Sequence, residues 1–171
     1  MKILLIFVLL LISVAGFSQH QVQNETAGAL QVTSEKVKSL VQAIPADKMD
    51  WAPAEGVRSF KSVLIHIASA NYFFATKLGA ELPEGVNPRG LDESLKTKED
   101  VVNALEESYE LALAAIKNAK EEELGNKVEY PFPGDFTNMT TMLIILSHTN
   151  EHLGQLIAYA RMNDITPPWS E

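Results

Sequence analysis

The sequence predicts an all-α protein, a four-helix bundle with a short β-hairpin-like insertion before the last helix. Four stretches of about 20 residues carry apolar side chains at helical spacing, and loops rich in proline and glycine separate some of them. The last stretch is apolar on nearly all sides, which is typical of a helix at the centre of a bundle. A length of 171 residues corresponds to one domain.

Local signals support each helix in turn. Pro45 ends the first helix, because proline cannot continue a helical run. Ser59 is placed to cap the second helix. Thr97 and Asp100 have the spacing of a capping box and begin the third. The four predicted helices cover residues 25–44, 60–79, 97–120 and 139–162.

The segment between the third and fourth helices, residues 125–138, interrupts the helical pattern. Val128 and Tyr130 alternate with charged side chains, and Pro131-Phe-Pro-Gly-Asp135 follows as a turn sequence. Alternation that leads into such a turn predicts a short hairpin.

The first 18 residues are typical of a secretory signal. Lys2 supplies a positive charge, residues 3–14 are apolar with one exception, and small residues precede a cleavage site after Ser18. A transmembrane anchor is the alternative, but an apolar run of about 12 residues falls short of the roughly 20 that a span needs. We therefore expect residues 1–18 to be a signal peptide and residues 19–171 to form the mature domain. The mature protein would be periplasmic or secreted, with no stable membrane anchor.

Composition excludes several classes of function. The net charge is −8, with 14 Lys and Arg against 22 Asp and Glu and no basic run, which argues against a nucleic-acid partner. The absence of cysteine excludes disulfides, cysteine zinc sites and a thiol nucleophile. The sequence also lacks the signature motifs of α/β-hydrolases, P-loop proteins and dinucleotide-binding proteins.

Three of the four histidines lie in predicted helices and are expected to face inward. His148 and His152 are one turn apart on the last helix, and His66 lies at the edge of the apolar face of the second. Together they could supply three nitrogen ligands to one divalent metal ion, with a fourth position open to water or substrate. Alternatively, they are core histidines that bond to the backbone or to neighbouring side chains.

The segment also matches the His-x-x-Glu-His pattern of inverted zinc peptidases. In a helix, Glu151 lies about 60° from His148 and about 100° from His152, away from both. Only 19 residues follow His152, which leaves little chain for a distant third ligand. The peptidase interpretation is therefore disfavoured.

Several segments, in order and at the right spacing over residues 24–169, resemble the DinB-like superfamily of helical bundles. One segment resembles the family's His-x-x-x-His-x-Gly-Gln helix. The others resemble the family's Trp-x-Pro segment, the helix that carries its first histidine, its arginine and the prolines with which it ends. The matching segments are His148-Thr-Asn-Glu-His152-Leu-Gly-Gln155, Trp51-Ala-Pro-Ala-Glu-Gly-Val-Arg-Ser59, Ser62-Val-Leu-Ile-His66, Arg161 and Pro167-Pro168.

The resemblance implies a divalent metal ion, commonly zinc or nickel, held by three histidines. Position by position, the ligands would be His66, His148 and His152. Gln155 and Arg161 match family positions too, with supporting or structural roles, since a ligating histidine needs its other nitrogen held. The glycine at position 154 is expected to let a neighbouring backbone come close.

Some relatives use the metal to activate a low-molecular-weight thiol, because a divalent ion lowers the pKa of a thiol and orients it. Such thiols are chiefly cytoplasmic, so the predicted export argues against that substrate.

Three functions stay open at this point. The first is a metal-dependent transferase or hydrolase of small molecules, which requires a cavity beside the metal. The second is a non-catalytic, metal-stabilised helical binding module with no accessible pocket. The third is a helical interaction module without metal. The oligomeric state is open too, with a homodimer as one alternative because bundle relatives often pair.

Overall fold

The computed structural model describes residues 20–170, and these form an all-helical bundle. The predicted signal peptide, residues 1–18, lies outside the described residues. The α-helices are α1 (Gln21–Ala43), α2 (Phe60–Lys77), α3 (Leu91–Ser94), α4 (Lys98–Asn118) and α5 (Asn138–Met162). Four of them are long, and α3 is a single turn in the connection between α2 and α4. Among residues 20–170, no helix combines the length and the apolar character that a membrane span requires.

The four long helices pack in a square. α1 contacts α4 and α5, and α2 also contacts α4 and α5. The core between them is filled by large apolar side chains, among which Phe60, Tyr72 and Tyr109 are almost fully buried. Because α2 and α5 are neighbours, side chains from these two helices can meet across one seam of the bundle.

The helix starts follow the predicted caps. Ser59 Oγ accepts a hydrogen bond from Ser62 N, 3.2 Å away. Thr97 Oγ1 accepts from Asp100 N at 3.1 Å and Asp100 Oδ2 accepts from Thr97 N at 2.8 Å, which confirms the capping box. The hydrogen bond that Thr97 N donates to the carboxylate lowers the pKa of Asp100. Thr137 caps α5 in the same way, accepting from Thr140 N.

The predicted hairpin is wrong. Residues 125–137 do turn back, but within the described residues they form a single antiparallel bridge, Lys127 with Thr137, and no strand. Pro131 and Pro133 lack the N–H groups that would extend a ladder. Gly134 makes the turn with φ of 149°, and a Cβ there would overlap the neighbouring aromatic ring.

α5 also differs from its expected place at the centre of the bundle. It packs on α1 and α2, and its outer face is open, with Leu143 49% and Met139 42% exposed. A four-helix bundle has no central helix, so even an apolar helix keeps one face outside. The glycine at position 154 lies on this outer face. Within the described part of the chain, no atom other than those of its chain neighbours and its own helix backbone lies within 4 Å of the place that a Cβ would occupy, so it does not serve a close approach of another backbone.

Candidate metal centre

The structure brings together the three histidines that the sequence analysis selected. His66 projects from α2, and His148 and His152 from α5, into the seam between these helices. His148 Nε2 lies 3.1 Å from His66 Nε2 and 3.2 Å from His152 Nε2. One ring nitrogen from each histidine lies within 4.8 Å of the other two. Three separate side chains therefore converge on one point.

These distances fit a shared cation. Zinc bonds imidazole nitrogen at about 2.0–2.1 Å, so two nitrogens on a tetrahedral ion are about 3.3 Å apart. One proton could join two of the three nitrogens in a hydrogen bond, but an ion at their centre would engage all three lone pairs. The three histidines could thus hold a divalent metal ion.

Neighbouring side chains orient the imidazole of His152. Its Nδ1 lies 2.8 Å from Gln155 Oε1, which can only accept, so Nδ1 carries the proton and Nε2 keeps a free lone pair. Gln155 Nε2 donates in turn to the Tyr159 hydroxyl at 2.8 Å. The Tyr159 ring packs edge-on against Trp51 and Phe60, with both centroids at 5.5 Å.

This network gives a structural reason for two segments of the family resemblance. Trp51, from the loop before α2, supports the tyrosine that contacts Gln155, and Gln155 holds His152. Arg161 behaves differently, since it is exposed in the last turn of α5.

Burial lowers the pKa of two of the histidines. It lowers the pKa of His148 to about 4, and the charges of His152, His66 and Arg58 act in the same direction. Burial also lowers the pKa of His66, assisted by Arg58 and His152 and opposed by the carboxylates of Asp92 and Glu151. A neutral imidazole offers the lone pair that a metal ligand requires.

A cavity of about 670 Å³ opens beside His66 and His148. This volume lies in the range of small-molecule sites. Side chains of α2, among them Phe73 and Phe74, form much of its wall, and the α2–α4 connection, the 125–137 segment and His148 of α5 complete it. The residues from these two segments that matter below are Leu82, Arg89, Asp92 and Phe132.

Sequence reasoning missed the residues that the loops contribute. Arg89 and Asp92 lie between the predicted second and third helices, and Phe132 lies in the predicted hairpin. One signal could have pointed to them, because connections beyond about 12–15 residues in a compact domain are uncommon and often functional. Residues 80–96 exceed that length.

The arrangement defines a class: a helical bundle in which two adjacent helices present three histidines to a cavity that opens to solvent. Within that class, a sequence model of the DinB superfamily matches residues 29–156. The chain belongs to this superfamily, which confirms the resemblance. No curated protein matches the chain.

Solved structures show the same fold at low sequence identity. A DinB-like protein from Bacillus subtilis has 21% identity and a TM-score of 0.65, with 83% of this chain and 93% of that chain covered. A DinB-like protein from Bacillus cereus has 16% identity and a TM-score of 0.65, with coverages of 82% and 94%. A conserved protein from Enterococcus faecalis has 15% identity, a TM-score of 0.61 and coverages of 81% and 94%.

Proposed function

We propose that this protein binds one divalent metal ion, zinc or nickel, through His66, His148 and His152 and acts on small molecules as a metal-dependent transferase or hydrolase. The observation that carries the proposal is the cavity that opens directly onto two of the three histidines. A purely structural metal site would be closed by four protein ligands.

Different residues of the chain have different roles around the site. The three imidazoles would bind the ion. Gln155 fixes the ring of His152 so that the lone pair of His152 Nε2 is directed at the point where the three histidines meet. Phe73 and Phe74 shield one side of the cavity from water. When bound there, a divalent ion supplies a Lewis acid that lowers the pKa of water or of a thiol at neutral pH.

A non-catalytic module stabilised by metal is the second candidate. Three ligands from α2 and α5 would tie adjacent helices together in a chain without cysteine. The two proposals differ in what metal removal does. An enzyme loses turnover, whereas the module loses thermal stability and has no turnover to lose.

The first test is the metal content of untagged protein, measured by inductively coupled plasma mass spectrometry. We expect about one zinc or nickel ion per chain, lost in His148→Ala. His20→Asn is the matched control, because His20 is exposed, does not belong to the group of three histidines and has a left-handed backbone that asparagine tolerates. Wild-type protein without metal after incubation with zinc and nickel would contradict the proposal.

The second test separates the two candidates. Metal-loaded protein is screened for ester and amide hydrolysis and for thiol transfer to electrophiles, with His148→Ala as the inactive reference. Turnover that is restored by adding metal to the apoprotein would support the enzyme. Metal-dependent stability without any turnover would favour the module.

Export of the mature chain is proposed on the sequence of residues 1–18. Mass spectrometry of the N-terminus of protein recovered from the periplasm or the medium tests it, and a chain that begins at residue 19 is the expected result. An intact N-terminus on protein recovered from the cytoplasm would contradict it.

A further inference from the structure

Two guanidinium groups near the metal centre have no carboxylate partner in the described part of the chain. Arg89 lines the cavity from the turn Pro88–Gly90, and Arg58 is close enough to both His66 and His148 to lower the pKa of each. Among residues 20–170, neither arginine has a carboxylate within 4.0 Å. In a chain with a net charge of −8, free positive charge beside the cavity is a local exception.

Another part of the cavity wall is apolar and partly open to water. Phe132 is 44% exposed and Leu82 is 36% exposed, although both line the cavity beside Phe73 and Phe74. Large apolar side chains clustered at a cavity mouth are a common sign of ligand contact, because a bound apolar group would remove them from water.

We propose that the cavity binds a small carboxylate with an aromatic or apolar body, in which Arg89 pairs with the carboxylate and Phe132 covers the body. The inference deepens the proposed function and rests on it in two respects: the ligand would lie beside the metal centre, and the charge of the ion contributes to the preference for an anion over an amine. The contacts assigned to Arg89 and Phe132 do not depend on the ion.

The position of Asp92 could favour a different ligand. Its carboxylate lines the same cavity and acts on His66 in the direction opposite to Arg58, as does Glu151. An amine could pair with Asp92. With a divalent ion in place, however, the positive charge of the ion and the two arginines exceeds the charge of these two carboxylates, so the cavity favours an anion over a cation. Asp92 then selects against a second anionic group on the ligand.

The experiment compares three probes of one size and shape that differ in charge: phenylacetate, phenylacetamide and phenethylamine. Each is titrated into the purified, zinc-loaded protein by isothermal calorimetry and ligand-observed NMR. We expect phenylacetate to bind at least about tenfold more tightly than the other two, since a hydrogen bond to a charged partner is stronger than a neutral one.

Two pairs of variants locate the contacts. Arg89→Gln should weaken phenylacetate about tenfold or more, whereas Arg161→Gln, an exposed arginine at the far end of α5, should not change it. Phe132→Ala should weaken it about fivefold or more, whereas Leu143→Ala, equally exposed on the outer face of α5, should not.

The outcomes distinguish this inference from the proposed function. The same titrations on metal-free protein should keep the Arg89 dependence. If the chain binds no metal but phenylacetate binding still requires Arg89, the metal proposal fails and this one stands. Absence of phenylacetate binding, phenethylamine binding that is equal or tighter, or equal losses in Arg89→Gln and Arg161→Gln would overturn the inference.

Discussion

Gln155 fixes the ring of His152 through one hydrogen bond, and its loss should weaken metal binding without unfolding the chain. In Gln155→Ala the imidazole can rotate and change tautomer, so we expect zinc affinity to fall about 10–100-fold. Gln155→Glu keeps an oxygen acceptor and should restore most of the affinity. Competition with a fluorescent chelator measures the dissociation constants. The control is Gln31→Ala, which removes an exposed glutamine bonded to Glu35 on α1; a loss there of similar size would contradict a positioning role.

The lowered pKa of His148 predicts how the stability of metal-free protein depends on pH. Its pKa is about 4 in the folded chain and near 6.5 when unfolded, so the unfolded state binds more protons between these values. The free energy of unfolding should therefore decrease as the pH falls from about 6.5 to about 4. His66, whose pKa is also lowered, adds to the same trend.

Urea unfolding at a series of pH values measures this effect. His148→Gln removes the titrating group and should flatten the dependence, whereas His20→Asn should leave it as in the wild type. A free energy of unfolding that rises on acidification through this range would show that the histidines are not buried as neutral groups.

The sequence pointed to the three histidines but not to the residues that surround them. Helical spacing placed His148 and His152 on one face, and the apolar stripe of α2 placed His66. Arg89 and Phe132 lie in connections whose conformation depends on prolines, turns and tertiary contacts. No periodic pattern encodes those positions, so reasoning from periodicity could not place them at the cavity.

In the helices and their connections, features that depend on neighbouring residues could be predicted from the sequence, whereas features that depend on tertiary contacts could not. The caps at Ser59 and Thr97 were predictable because each is a local interaction between neighbouring residues. The bridge between Lys127 and Thr137 was mistaken for part of a hairpin, because alternation of side chains does not show whether backbone donors are available. Pro131 and Pro133 remove those donors.

Glycines in helices and turns should respond oppositely to alanine. Gly154 on α5 and Gly28 on α1 are exposed in helix interiors, and no packing neighbour among residues 20–170 lies within 4 Å of a new Cβ. Gly154→Ala and Gly28→Ala should therefore each stabilise the protein by about 0.5–1 kcal/mol. Gly134→Ala should destabilise it, because the positive φ and the ring of Phe136 leave no room. Urea unfolding measures all three, and a destabilising Gly154→Ala would mean that this face of α5 is covered by something not yet identified.

For the whole molecule, the square of four helices makes the seam between α2 and α5 the place where a metal would affect global stability. One of the three histidines comes from α2 and two come from α5, so the complete group exists only when the two helices are packed. A ligand that binds only the folded state adds stability as RT ln(1 + [L]/Kd), about 4 kcal/mol when the free ion is at 1,000 times its dissociation constant.

Removal of metal should therefore lower the Tm of wild-type protein by several degrees, with the shift growing with zinc concentration when metal is restored. His148→Ala should have a Tm that chelator leaves unchanged. The matched control is His20→Asn, which should follow the wild type. Differential scanning calorimetry measures the shifts, and hydrogen exchange should show the added protection concentrated in α2 and α5. If protein shown to carry one ion per chain has a Tm independent of chelator, the ion binds the unfolded chain equally well and does not join the two helices.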